Sequence, residues 1–142
     1  MALDVIVVLK RRHINFCVFD STWEATDEFE LDRNKNVDAW VKNDHLGFEI
    51  LYVFKGVVHK YRPDFIIRLK TGSFLVLETK VQDTDQGKTK RAFLEEWVKA
   101  VNERGGFGTW QWAVSKQPGD VKGILEEISL RRSITAGTGH KL

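Results

Sequence analysis

The sequence predicts a single α/β domain, bordering on α+β, with one central mixed β-sheet flanked by helices. Three observations predict it. Short β-branched and aromatic runs are interspersed with helical stretches rather than segregated from them. Two of those runs are joined by a tight loop ending in glycine. The chain has 142 residues, 42% of them hydrophobic, which is room for one core and not for two full domains. At this size folding buries roughly 68–70% of the unfolded chain's surface, so the core needs neither disulfide nor metal staples.

Val5 to Leu9 and Ile14 to Phe19 read as strands. Cys17, the only cysteine, falls in the second and reads as a buried thiol. A lone cysteine cannot pair within the chain, and the four dispersed histidines make no zinc-finger spacing. Asp20-Ser21-Thr22 offers capping side chains ahead of an acid-rich turn, so a helix is expected from about residue 22 to 32. Val37 to Lys42 reads as a strand, Asn43 to Gly47 as a turn, and Phe48 to Phe54 as a further strand ending near Gly56. His45 in that turn reads as an ordinary turn histidine in preference to a general base.

The centre of the prediction is a hairpin. His59 to Leu69 and Ser73 to Lys80 are strand-like, and Lys70-Thr71-Gly72 fits a three-residue loop with Gly72 left-handed. Pairing Leu69 with Ser73 sets a register that carries Asp64 directly opposite Glu78. Gln86 to Asn102 then places Phe93, Leu94, Trp97, Val98 and Val101 at helical spacing, with Gly105-Gly106 as the stop and Asp83 and Asp85 as candidate caps. Thr109 to Ser115 reads as a strand whose Trp110 and Trp112 share one face and pack in the core rather than stack on bases. Pro118-Gly119-Asp120 opens the last helix, with Ile124, Leu125 and Ile128 inward. Residues 1–13 are expected to pack on the core or lead into it, 14–131 to form the domain, and 132–142 to form a flexible tail, native or appended.

No apolar run approaches the ~20 residues of a membrane span. Lys10-Arg11-Arg12 follows the first apolar stretch instead of preceding it, so no secretory signal is read and a cytoplasmic location is expected. The net charge of +2 hides an asymmetry: residues 20–49 sum to −6 and residues 55–91 to +5. The basic span is a candidate phosphate-backbone footprint, with an ordinary solvated surface as the alternative.

The chemistry-bearing residues lie in the hairpin. Glu78 and Lys80 share a strand face, and the register adds Asp64 at ~5 Å. Two carboxylates so close repel unless a cation lies between them, and hard oxygen donors suit Mg²⁺, with the carbonyl of Thr79 as a further ligand. Lys80 beside such an ion would orient a water and offset charge at phosphorus. A solvated ion cluster is the alternative.

Val58 to Lys80, and within it His59-Lys60-Tyr61-Arg62-Pro63-Asp64-Phe65-Ile66-Ile67-Arg68-Leu69 followed by Leu75-Val76-Leu77-Glu78-Thr79-Lys80, resembles the PD-(D/E)XK nuclease core. More narrowly it resembles the C-terminal nuclease region of Type III restriction enzyme Res subunits, over roughly residues 14–130. The resemblance implies a restriction-endonuclease-like core in which Asp64 and Glu78 hold the metal and Lys80 is the catalytic lysine. Glu24, after Trp23, matches the upstream acidic residue. The implied cofactor is Mg²⁺ with Mn²⁺ as substitute, and the implied partner is DNA. Lys60, Arg62, Lys88, Lys90 and Arg91 are the candidate phosphate contacts, and Gln82 a candidate groove residue. One departure is Val81, where related sequences have glycine; another is the lack of any Gly-x-x-x-x-Gly-Lys-Ser/Thr loop or helicase motor in these residues.

The expectation is therefore a Mg²⁺-dependent DNA endonuclease of restriction or DNA-processing type without its own motor. RNA remains open as substrate. One site cuts one strand, so double-strand cleavage calls for a homodimer or successive nicks, and a separate motor or specificity partner is conceivable. The rival is an inactive DNA-binding or protein-interaction module on the same fold.

Overall fold

A computed structural model describes residues 22–44, 46–79 and 81–138, with side chains from 25 to 131. The strands expected at 5–9 and 14–19, Cys17, His45, Lys80 and residues 139–142 lie outside the described residues.

The described chain forms α1 (Thr22–Arg33), β1 (Val37–Lys42), β2 (Ile50–Phe54), β3 (Val57–Tyr61), β4 (Phe65–Leu69), β5 (Phe74–Glu78), α2 (Asp85–Arg104), β6 (Trp110–Val114) and α3 (Asp120–Thr138). Four strands make a mixed sheet in the order β1-β4-β5-β6, and β2 and β3 make a separate two-stranded sheet. β1 with β4 and β4 with β5 are antiparallel, whereas β5 with β6 is parallel, joined through α2. This is the mixed sheet flanked by helices that the sequence predicts.

β4 and β5 are apolar at almost every position because both of their faces are covered. Ile66, Phe74 and Val76 face one core, with Leu94 and Val98 of α2, Trp110 of β6, and Ile50, Tyr52 and Tyr61 of the hairpin. Phe65, Ile67, Leu69, Leu75 and Leu77 face the other core, with Leu31 of α1 and Val121, Leu125 and Ile128 of α3. Trp110 is locked into the first core by a stacked contact to Phe74 at 4.7 Å and an edge contact to Trp97 at 5.3 Å. Asn102 brackets its backbone, accepting from Trp110 N at 2.8 Å and donating to Trp110 O at 2.9 Å.

Three expectations are corrected. His59 to Leu69 is not one strand: Arg62-Pro63-Asp64 interrupts it, since proline has no N–H to donate and restricts the residue before it. The first piece, β3, instead pairs with β2 across a two-residue turn in which Lys55 and Gly56 have φ of 51° and 76°. The cap of α2 is Thr84, whose hydroxyl accepts from Gly87 N at 3.0 Å, while Asp85 falls in the first turn and Asp83 pairs with Lys88 and Arg91. The last helix continues to Thr138, so helical backbone runs past the position where the sequence suggests a tail. Among the described residues no helix is long and apolar enough to cross a membrane.

Candidate active site at the strand ends

The predicted register is present: Phe65 pairs with Leu77, Ile66 with Val76 and Ile67 with Leu75. The ladder ends there; continued one step, the same register would set Asp64 against Glu78, and both line one cavity. Gly72 at the loop has φ 91°, where a side chain would be strained. Because β4 begins where β5 ends, both acids stand at one edge of the sheet. Backbone bonds extend the row: Asn43 N donates to Asp64 O at 2.8 Å, and Ser115 N to Glu78 O at 2.8 Å. Glu78, two residues on from Val76, shares its face of the sheet and so faces α2, whose first turns line the site.

Asp64 is held from both of its chemical ends. Asn43 is buried; its Nδ2 donates to Pro63 O at 2.9 Å and Phe48 O at 2.8 Å, and its Oδ1 accepts from Phe48 N at 3.3 Å. The Asp64 carboxylate accepts on Oδ2 from Thr79 N at 2.8 Å and from Thr79 Oγ1 at 3.0 Å. Those bonds turn one carboxylate oxygen toward the backbone and hydroxyl of Thr79.

Burial pushes the Glu78 carboxyl up from 4.5 to about 9, and hydrogen bonding and repulsion from Asp64 add to the effect. Lys90, with Nζ 4.0 Å from Glu78 Oε2, opposes it. The same ammonium lies 5.0 Å over the ring of Tyr61, whose hydroxyl pKa is raised, chiefly by burial and then by Glu78. Two acids pressed together in a buried site are a donor set that a divalent cation would relieve. Among the described residues no group of three or more His, Cys, Asp or Glu accompanies them. Further ligands would be water and backbone carbonyl, which accords with Mg²⁺ keeping several waters.

A cavity of about 410 Å³ opens over the pair. It brings together the expected Asp64, Glu78, Thr79, Arg62, Gln82, Lys90 and Arg91. Lys60 and Lys88 stay on the exposed surface: Lys60 sits opposite Leu51 on the outer face of the hairpin, and Lys88 pairs with Asp83 at 4.0 Å. Glu24 stands in the first turn of α1 with its side chain outside the described residues; α1 packs on the opposite face of the sheet through Leu31. Arg62 is drawn over the rim by Glu49, with Nε 2.6 Å from Oε2.

Sequence reasoning missed Tyr61, Asn43, Glu49 and Gly87. Gly87 is required by space: a Cβ there would stand 2.9 Å from Gln82 O. The chain matches no family model, no curated protein and no solved structure.

Proposed function

We propose that this chain is a divalent-metal-dependent nuclease that hydrolyses the phosphodiester backbone of DNA in the cytoplasm, on a restriction-endonuclease-like core. One observation carries the reading: Asp64 and Glu78 meet at the end of the sheet in a cavity whose other walls bear Arg62, Lys90 and Arg91. Carboxylates beside cations are what phosphoryl chemistry requires, one set to hold a metal and the other to meet phosphate oxygens.

In this reading Asp64 and Glu78, with the Thr79 carbonyl, hold Mg²⁺ or Mn²⁺. The ion supplies Lewis acidity at the phosphate and a water of lowered pKa. Thr79 orients Asp64 through its two donors. Lys90 and Arg91 neutralise the incoming phosphate and Gln82 lines its path. The resemblance adds Lys80 as the lysine that polarises the attacking water, and Glu24 as an outer acid. A motor or specificity partner, and a second copy for double-strand cleavage, belong to the same proposal.

A specific feature favours the rival, a module that binds nucleic acid without turnover. Val81 stands where related sequences have glycine, and its N–H is committed to Ser115 O at 3.1 Å, which ties down the exit of β5. Nicking of supercoiled plasmid with Mg²⁺ and then Mn²⁺ separates the two, comparing the intact chain with Asp64→Ala and Lys80→Ala. Metal-dependent nicking lost in both variants supports the nuclease. Retarded DNA without cleavage, equal in all three proteins, would leave only the binding module; a single-stranded RNA arm checks the nucleic acid.

A further inference from the structure

The outer face of the β2–β3 ribbon breaks the pattern that water imposes. On the inner face Ile50, Tyr52 and Tyr61 are buried with Leu94 and Val98 of α2. A ribbon covered on one side normally alternates to polar residues on the other. Here the cross-strand pairs Leu51–Lys60 and Val53–Val58 face outward, and Leu51, Val53 and Val58 are 59%, 49% and 63% exposed. Strand propensity does not require this, because threonine serves a strand as well without showing an all-methyl surface to water. A contiguous apolar face of this kind marks a docking surface.

Charge names the partner. From Ile50 to Pro63 the chain carries Lys55, Lys60 and Arg62 and no acidic residue. Lys60 shares the outer face, Lys55 stands in the turn, and Arg62 follows β3 at the rim of the cavity lined by Asp64 and Glu78. A polyanion is the complement. A second copy of the chain would press two ribbons of the same positive charge together. A single strand calls for aromatic platforms, whereas Tyr52, Phe54 and Tyr61 all belong to the inner face. Duplex DNA remains, and its geometry selects the groove. A two-stranded ribbon fits the major groove, about 12 Å wide, and not the minor, about 6 Å wide. Only the major groove offers an apolar partner, the C5 methyl of thymine. At ~3.3 Å per residue the five residues of β3 reach about 17 Å from the rim, or about five base pairs of duplex.

We infer that the β2–β3 ribbon lies in the major groove of duplex DNA beside the scissile phosphate, with Leu51, Val53 and Val58 against thymine methyls and Lys55 and Lys60 against the flanking phosphates. This rests on the DNA-backbone reading of the cavity given above, and adds to it a duplex substrate and a preference for A·T pairs close to the cut. The two lysines should add about 1.8 to the salt slope that the three cavity cations give alone, and Lys55→Gln/Lys60→Gln should remove that increment.

The experiment is fluorescence anisotropy of the full chain on an A·T-rich duplex and on the same duplex with uracil in place of every thymine, which deletes only the methyls. Ca²⁺ replaces Mg²⁺ so that binding is read without turnover. The parent should bind the uracil duplex about fourfold more weakly or worse, fourfold being the worth of one buried methyl. Leu51→Gln/Val58→Gln should bind the thymine duplex more weakly than the parent does and no longer tell the two duplexes apart, with a Tm close to the parent's because both side chains are exposed. Equal affinity of the parent for the two duplexes overturns the inference, whatever the variant does. A methyl effect that persists in the double variant overturns it too, since the methyls are then read elsewhere. In both cases nicking by the parent that is lost in Asp64→Ala leaves the nuclease reading standing. A parent dimer that the double variant disperses, or binding to anionic vesicles that it abolishes, with no methyl effect on DNA, gives the face to another partner. If the parent neither binds duplex nor nicks plasmid, the DNA reading fails and takes the inference with it.

Discussion

The Glu78 carboxyl makes the site sensitive to pH in a direction opposite to an ordinary ion-paired acid. In the folded chain its proton is held to about 9, against an ordinary 4.5. Below the lower value both folded and unfolded chains are protonated there; between the two the unfolded chain releases the proton first, so rising pH favours unfolding. The Tm of the metal-free protein is expected to carry a contribution that falls from about pH 4.5 toward about 9. Glu78→Gln should flatten that contribution, and saturating Mg²⁺ at pH 8 should reverse it; a Tm profile identical in parent and Glu78→Gln would refute the assignment. Asn43 is a different kind of residue, a buried amide joining the β1 turn to the Pro63 carbonyl. Asn43→Ala strips partners from Phe48 and Pro63 and should cost about 2–4 kcal/mol in chemical denaturation. Its role was illegible because the Asn43–Pro63 contact spans twenty residues, far beyond any local spacing rule.

At the level of elements, periodicity and turn chemistry succeeded where contacts are local. β1 has the boundaries expected from the sequence, Val37 to Lys42, and the β4–β5 register follows from one loop length and one left-handed glycine. The continuous strand through Pro63 failed because apolar content does not report which partner a strand takes: β3 pairs with β2, and β4 pairs with β1 and β5. That break also brings Tyr61 to the acids, since in an unbroken strand residues 61 and 64 would face opposite ways. Helices give a matched pair of tests. Gly123 in α3 has open space where a Cβ would go, so Gly123→Ala should raise stability by about 0.5–1 kcal/mol through helix propensity. Gly87→Ala should gain nothing and lose stability, because a backbone oxygen occupies that space. Equal stabilisation by both, measured by urea denaturation, would mean that the loop before α2 yields freely.

For the molecule as a whole, alternation of strand and helix patterns was enough to reveal the layered mixed sheet, whereas the cavity was not legible, since its walls come from the segment between β3 and β4, the end of β5, the loop after it and the first turns of α2. The charge asymmetry was legible, but only Arg62, Lys90 and Arg91 of the expected phosphate contacts reach the cavity. If those three carry the backbone contacts, log–log DNA affinity should fall with salt at a slope near −2.7, about 40-fold between 50 and 200 mM. A slope near zero in fluorescence anisotropy would remove the basic rim from the interface. The sheet has one more consequence, for the order of assembly. The antiparallel β4–β5 pair closes through a three-residue loop, whereas β6 joins β5 only after α2 has been crossed. Short closures form early and long ones late. The two acids should therefore meet while still in water, and lose their solvent only when the helix and its cations arrive. Refolding kinetics can read this directly: Leu75→Ala should chiefly slow folding, and Trp110→Phe chiefly speed unfolding.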